Sequence, residues 1–146
     1  MVHKFNLNRI IKLQDKAVRI INFASPYDSR NPLYRKSRIL KFSDNITLLN
    51  FIFVHDSLKN NLPTILNKNF TLVSNIHNVN TRYAVLNKVA LPKIKTQLHG
   101  IKSIKFQSSS SWNFFTGKYP NKSLLDQTKP FCKKIISQHF LENYEN

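Results

Sequence analysis

Seven acidic residues, five histidines and a single cysteine are the side chains with which this 146-residue sequence could hold a metal or move a proton. Metal-assisted phosphoryl transfer needs two or three carboxylates converging on the same ions. The seven acids, Asp15, Asp28, Asp44, Asp56, Asp126, Glu142 and Glu145, include no adjacent pair. Most fall where a helix start or an exposed position is expected, so no magnesium centre is expected from them. His3, His55, His77, His99 and His139 are scattered, and with Cys132 they form no pair at zinc-ligand spacing. His55 falls in an apolar helical stretch and reads as a hydrogen-bonded core or rim histidine; His77 and His99 read as polar loop residues. A nucleophilic serine would need a strained turn of the G-x-S-x-G type, yet Gly100 and Gly117 are the only glycines. A glycine-rich phosphate cradle is ruled out by the same scarcity. The expectation is a chain that catalyses nothing by itself and carries neither cofactor nor metal.

The cations offer more. Lys and Arg number 23 against the 7 acids, a formal net charge of +16. A balance that basic repels itself unless a polyanion offsets it, and nucleic acid is the leading candidate. The charge is blocked. Residues 1–43 hold ten basic and two acidic side chains, and residues 73–122 hold eight basic and none acidic. The intervening and final stretches are neutral. Arg9, Lys12, Lys16 and Arg19 recur at steps of three, four and three, which puts them in one stripe of a helix. Arg82, Lys88, Lys93, Lys95, Lys102 and Lys105 form the second set, expected on loops and strands. Both sets suit phosphate contact, which positions a chain without reading sequence; the alternative is a solvated surface. Trp112, Phe114 and Phe115 read as core, with stacking on bases as the alternative.

Four short motifs lie within or beside that second block. They are His77-Asn78-Val79-Asn80-Thr81-Arg82, Leu91-Pro92-Lys93-Ile94-Lys95-Thr96, Ser103-Ile104-Lys105-Phe106 and Trp112-Asn113. Together they resemble the C-terminal, thumb and post-thumb, region of jockey-like non-LTR retrotransposon reverse transcriptases. The pattern there runs H-x-x-N-T-R, L-P-x-x-K-T, S-I-x-F-x-G and W-N. Leu13 to Ile21 adds to the likeness, which extends from Leu13 to the C-terminus and is densest from His77 to Asn113. Two positions depart from it. Ser108 stands where that family has glycine, and Phe114-Phe115 where it often has Leu-Pro. The resemblance implies the nucleic-acid-gripping tail of an enzyme whose polymerase and endonuclease lie upstream, with that polymerase domain as a further partner. Two other readings stay open: a free-standing basic RNA-binding or ribonucleoprotein component, and a non-catalytic structural or interaction module.

The elements that must position these residues follow from apolar spacing. Residues 6–24 read as an amphipathic helix with Leu7, Ile10, Ile11, Ala17, Val18 and Ile21 inward. Pro32 suits the first turn of a short helix ending near Arg38. Ser43 and Asp44 suit the start of a helix over 44–60 that is apolar nearly all round and therefore central. One further turn is expected at 63–67, and an irregular connection over 70–87. Lys88 to Leu91 and Lys102 to Phe106 read as a short β-hairpin about Gly100. Ser108 to Phe115 read as a helical turn, and 130–143 as a last helix with Phe131, Ile135, Ile136 and Phe140 inward. The expected fold is mainly α (α+β), a small helical domain with a short β-hairpin. It is read as one domain over 1–146, with a helical part over 1–72 and a basic loop, hairpin and final helix over 73–146. No stretch is apolar enough for a membrane span, no secretory signal is visible, and a lone cysteine fits a reducing compartment. The expected location is intracellular, nuclear or cytoplasmic.

Overall fold

The computed structural model describes residues 2–76, 79, 81–94, 96 and 100–145. Helices dominate: α1 Val2–Ile21, α2 Arg30–Lys36, α3 Phe42–Leu58, α4 Thr64–Asn67, α5 Arg82–Val85, α6 Ile104–Lys118 and α7 Lys129–Glu142. Short 3₁₀ turns stand at Val73–Asn75, Pro120–Lys122 and Asn143–Glu145. The chain divides into two compact units, one made of residues 1–46 and 135–146, the other of 47–134. Among the described residues no helix is long and apolar enough to cross a membrane.

With so few glycines, helices must stop by other means. α1, α2, α3 and α5 each end in the same paired hydrogen bonds, six-to-one outside five-to-two, around a residue of positive φ. Those residues are Phe23, Arg38, Asn60 and Asn87. Asparagine tolerates the left-handed region; a bulky side chain such as phenylalanine does so only under strain.

In the first unit, Val18, Tyr34 and Tyr144 form the core, with Leu33, Ile39, Phe140 and Leu141 packed against it. The expected inward face of α1 is only partly right. Val18 is buried and Ile11 half-buried, but Leu7, Ile10, Ala17 and Ile21 are exposed. The inward line instead runs through Ile11, Gln14, Asp15, Val18 and Asn22, because polar side chains there act as clamps. Gln14 donates to the Leu40 carbonyl at 2.8 Å and accepts from the Phe42 N–H at 2.8 Å. Asn22 donates to the Ser37 hydroxyl at 2.6 Å. The Tyr144 hydroxyl donates to Asp44 and accepts from the Lys41 N–H at 3.0 Å.

The second unit is built on aromatics. Phe51 stacks on Trp112 at 4.8 Å between ring centres and meets Phe115 edge-on at 5.8 Å; all three are fully buried. Phe53 and Phe70 meet edge-on at 5.5 Å. The expected centrality of the 44–60 helix holds along Phe51, Ile52 and Val54, while Leu49 is exposed. Of the expected inward set on the last helix, Phe131 is exposed and Cys132 takes the buried place.

The β-hairpin is not there. No strand occurs among the described residues, and the expected second strand is the first turn of α6. Ser103 decides this: its hydroxyl accepts from the Phe106 N–H at 3.3 Å and so caps a helix that runs unbroken to Lys118. Ser-Ile-Lys-Phe alternates like a strand, but a capped start wins over a four-residue alternation. Gly100 does not turn a hairpin either. A Cβ there would stand 2.5 Å from Ile94 Cγ2, so the glycine serves a close approach. What remains of pairing is one antiparallel bridge, Leu72 with Val89.

Candidate nucleic-acid interface

The stripe on α1 forms as its spacing predicts. Arg9, Lys12 and Lys16 are exposed, and Arg19 is half-buried near the helix end. None of the first three makes an ion pair among the described residues. Lys12, Lys16 and Arg19 line one groove of about 820 Å³. Ile20, Phe23, Ala24 and Pro26 complete much of its wall; Arg9 lies one turn further back.

One acid, Asp15, also reaches this groove, and its charge is already matched. Its Oδ2 accepts from Arg30 Nη1 at 2.6 Å and its Oδ1 from the Tyr34 hydroxyl at 2.8 Å. Burial, together with the hydrogen bond to Asp15, pushes the Tyr34 phenol above its usual range, so it stays a donor. The hydrogen bond to Asp15 likewise raises the Arg30 guanidinium. With Asp15 and Arg30 cancelling, Lys12, Lys16 and Arg19 set the sign of the groove. Arg19 Nη2 reaches the Asp28 carbonyl at a long 3.4 Å, and its buried Nε has no hydrogen-bond partner.

The second set is more scattered. Arg82 opens α5 and is exposed, Lys93 is exposed on the connection, and Lys102 and Lys105 are exposed at the start of α6. The helix dipole adds positive potential at those last two. Lys88 is a partial exception to a contact role: its ammonium lies 4.3 Å above the Tyr83 ring, a use within the fold. Lys95, with His77, Asn78, Asn80 and His99, lies outside the described residues.

The motif residues between those cations hold backbone in place. Thr81 accepts from the Ala84 N–H and caps α5. Trp112 Nε1 donates to the Asn87 carbonyl at 2.8 Å. Asn113 accepts from the Val89 N–H at 2.8 Å and donates to the Val89 carbonyl at 2.9 Å, standing in for a neighbouring strand. Phe114, expected in the core, is 55% exposed; its ring meets Phe115 edge-on at 5.0 Å between centres and carries the Lys118 ammonium at 5.9 Å. Ser108 is fully buried within α6, so the turn that glycine would serve in the resembling pattern is absent at this point.

Other titratable groups are occupied structurally. His55, 2% exposed, bonds the Gln127 carbonyl through Nε2 at 3.0 Å, which makes Nε2 the donor. Asp56 beside it pairs with Lys129. Asp28, Asp126 and Glu142 are exposed and Asp44 lies in the first turn of α3, as expected of most of the acids, while Asp15 and Asp56 are buried exceptions. Burial pushes the Cys132 thiol up to about 11, leaving it inert near neutrality. Among the described residues no three of His, Cys, Asp or Glu are grouped to hold a metal.

Sequence reasoning passed over Phe23 and Tyr27, which stand 98% and 97% exposed on the loop after α1. Two aromatics flanking Ser25-Pro26 just past a basic helix were the available signal. No family model, no curated protein and no solved structure matches the chain.

Proposed function

We propose that this chain is a nucleic-acid-binding module of the kind that follows the polymerase core in non-LTR retrotransposon reverse transcriptases. In this reading it grips template or primer through phosphates and leaves the chemistry to an upstream domain. The observation that carries the reading is the α1 groove, where Lys12, Lys16 and Arg19 converge and the acid present is neutralised by Arg30. The motif residues that carry the resemblance support the parentage, and the second cationic set supplies further phosphate contacts.

A salt titration of binding to RNA and DNA tests the binding. With some six phosphates contacted, affinity falls on the order of a thousandfold between low and moderate salt. Binding without a salt slope refutes it. Parentage is tested separately: an open frame joined upstream of Met1 and encoding a polymerase palm supports it, and an unrelated upstream product counts against it.

A further inference from the structure

We infer that the groove at the C-terminal end of α1 seats an unpaired nucleobase, so that the stripe's ligand is single-stranded nucleic acid rather than duplex. The inference rests on the nucleic-acid reading above and narrows it. Three observations meet in one place. First, Phe23 lines the groove yet is 98% exposed, so packing does not account for its presence. Second, its backbone is held at φ 53° by two hydrogen bonds, Phe23 N–H to the Ile20 carbonyl at 3.1 Å and Ala24 N–H to the Arg19 carbonyl at 3.0 Å. Glycine is the ordinary occupant of that position, and an aromatic there is a strained choice. The ring is thus carried on a fixed turn. Third, Lys12, Lys16 and Arg19 line the same concavity, and the Arg19 Nε still lacks an acceptor.

A duplex offers Phe23 little, because its internal bases are stacked and show only their edges in the grooves. A single strand offers both halves at once: a π-face for Phe23 and phosphates for the cations. The apolar wall given by Ile20 and Pro26 suits a planar base better than it suits water.

The test uses the full chain as wild type, Phe23→Gly and Phe23→Trp. Binding is read by anisotropy on labelled oligouridylate and on a blunt duplex of equal length, at several salt concentrations, and by cosedimentation with vesicles of phosphatidylserine and phosphatidylcholine. Glycine accepts the left-handed backbone, so Phe23→Gly folds at least as well as wild type, and thermal melting confirms it. The wild type binds the single strand more tightly than the duplex. Phe23→Gly weakens single-strand binding about tenfold and leaves duplex binding unchanged, while Phe23→Trp restores the preference. Equal loss on both ligands, or no loss on the single strand, overturns the inference. So does a loss confined to vesicles of phosphatidylserine and phosphatidylcholine, which would make a lipid surface the occupant. Salt-dependent wild-type binding without single-strand preference overturns this inference alone. Absence of salt-dependent binding to either ligand overturns the proposed function as well.

Discussion

Replacing Lys12, Lys16 and Arg19 together by glutamine removes the charge of the α1 groove while leaving its apolar wall. The structural cost is small. Lys12 and Lys16 are exposed, and such changes stay within about 0.5 kcal/mol each. The Arg19 contact with the Asp28 carbonyl is long at 3.4 Å and contributes little. Removing three positive charges also relieves self-repulsion in a chain of net charge +16. Melting is therefore expected to stay level or rise slightly. Binding changes in a way that can be worked out. Each phosphate contact on a single strand contributes about 0.7 to the salt slope, so three lost contacts make it shallower by about 2. Between about 50 and 200 mM salt, the loss of affinity shrinks by roughly twentyfold. The control is Lys68, Lys133 and Lys134 changed to glutamine, which lowers net charge equally at exposed positions elsewhere. Anisotropy at several salt concentrations reads both variants. If the control flattens the slope as much as the groove variant, binding follows total charge and the groove is no site. If the groove variant melts far lower with its slope intact, the stripe packs against protein.

Two further outcomes follow from the second unit and from the buried acids of tyrosine and cysteine. Asn113→Ala leaves both backbone groups of Val89, itself 1% exposed, without their partner. At about 1–3 kcal/mol per orphaned group, stability falls by about 2–6 kcal/mol in urea unfolding followed by Trp112 emission; a change under about 0.5 kcal/mol would remove the clamp from the account. Stability also falls with alkaline pH. Burial raises the Tyr34 and Tyr144 phenols above their ordinary 10.0, and the Cys132 thiol from 9.0 to about 11. Below pH 9 folded and unfolded chains hold these protons alike, and stability is complete. Above it the unfolded chain releases them first, so stability declines from about pH 9 upward. A melting temperature unchanged across that window contradicts the burial of all three.

The long helices α1, α3 and α7 were legible because their signals are local, while α6 was read as a strand and a helical turn. Pro26, Pro63 and the apolar density of 46–58 mark α1, α3 and their ends within a residue or a few. The stripe on α1 was legible for the same reason, since a spacing of three and four survives whatever the helix packs against. The inward face was not, because Gln14, Asp15 and Asn22 are polar and reveal themselves as clamps only once Leu40, Tyr34 and Ser37 arrive beside them. The hairpin failed on one competition. Ile104 and Phe106 fit a strand and a helix equally, and the cap at Ser103 settles it. Phe23 and Tyr27 were visible as aromatics beside Pro26, but a helix stop without glycine does not mark the left-handed turn on which Phe23 stands.

The residues that carry the resemblance and the residues that carry the charge are different sets with different tasks. Thr81, Gly100, Ser103, Trp112 and Asn113 cap helices, permit a close approach or grip backbone. They are needed because the described residues between 71 and 90 form one bridge, a 3₁₀ turn and the single-turn α5 rather than a sheet, so several of their peptide groups depend on side chains for partners. Lys12 and Lys16 hold nothing in place, and their spacing is kept only by the helix beneath them. A change in the first set should therefore appear in unfolding and a change in the second in binding. Lys88 joins the two, since its ammonium already covers Tyr83 and reaches within 3.4 Å of where a Gly117 side chain would begin. It is the member of the second cationic set whose loss should register as stability before it registers as affinity.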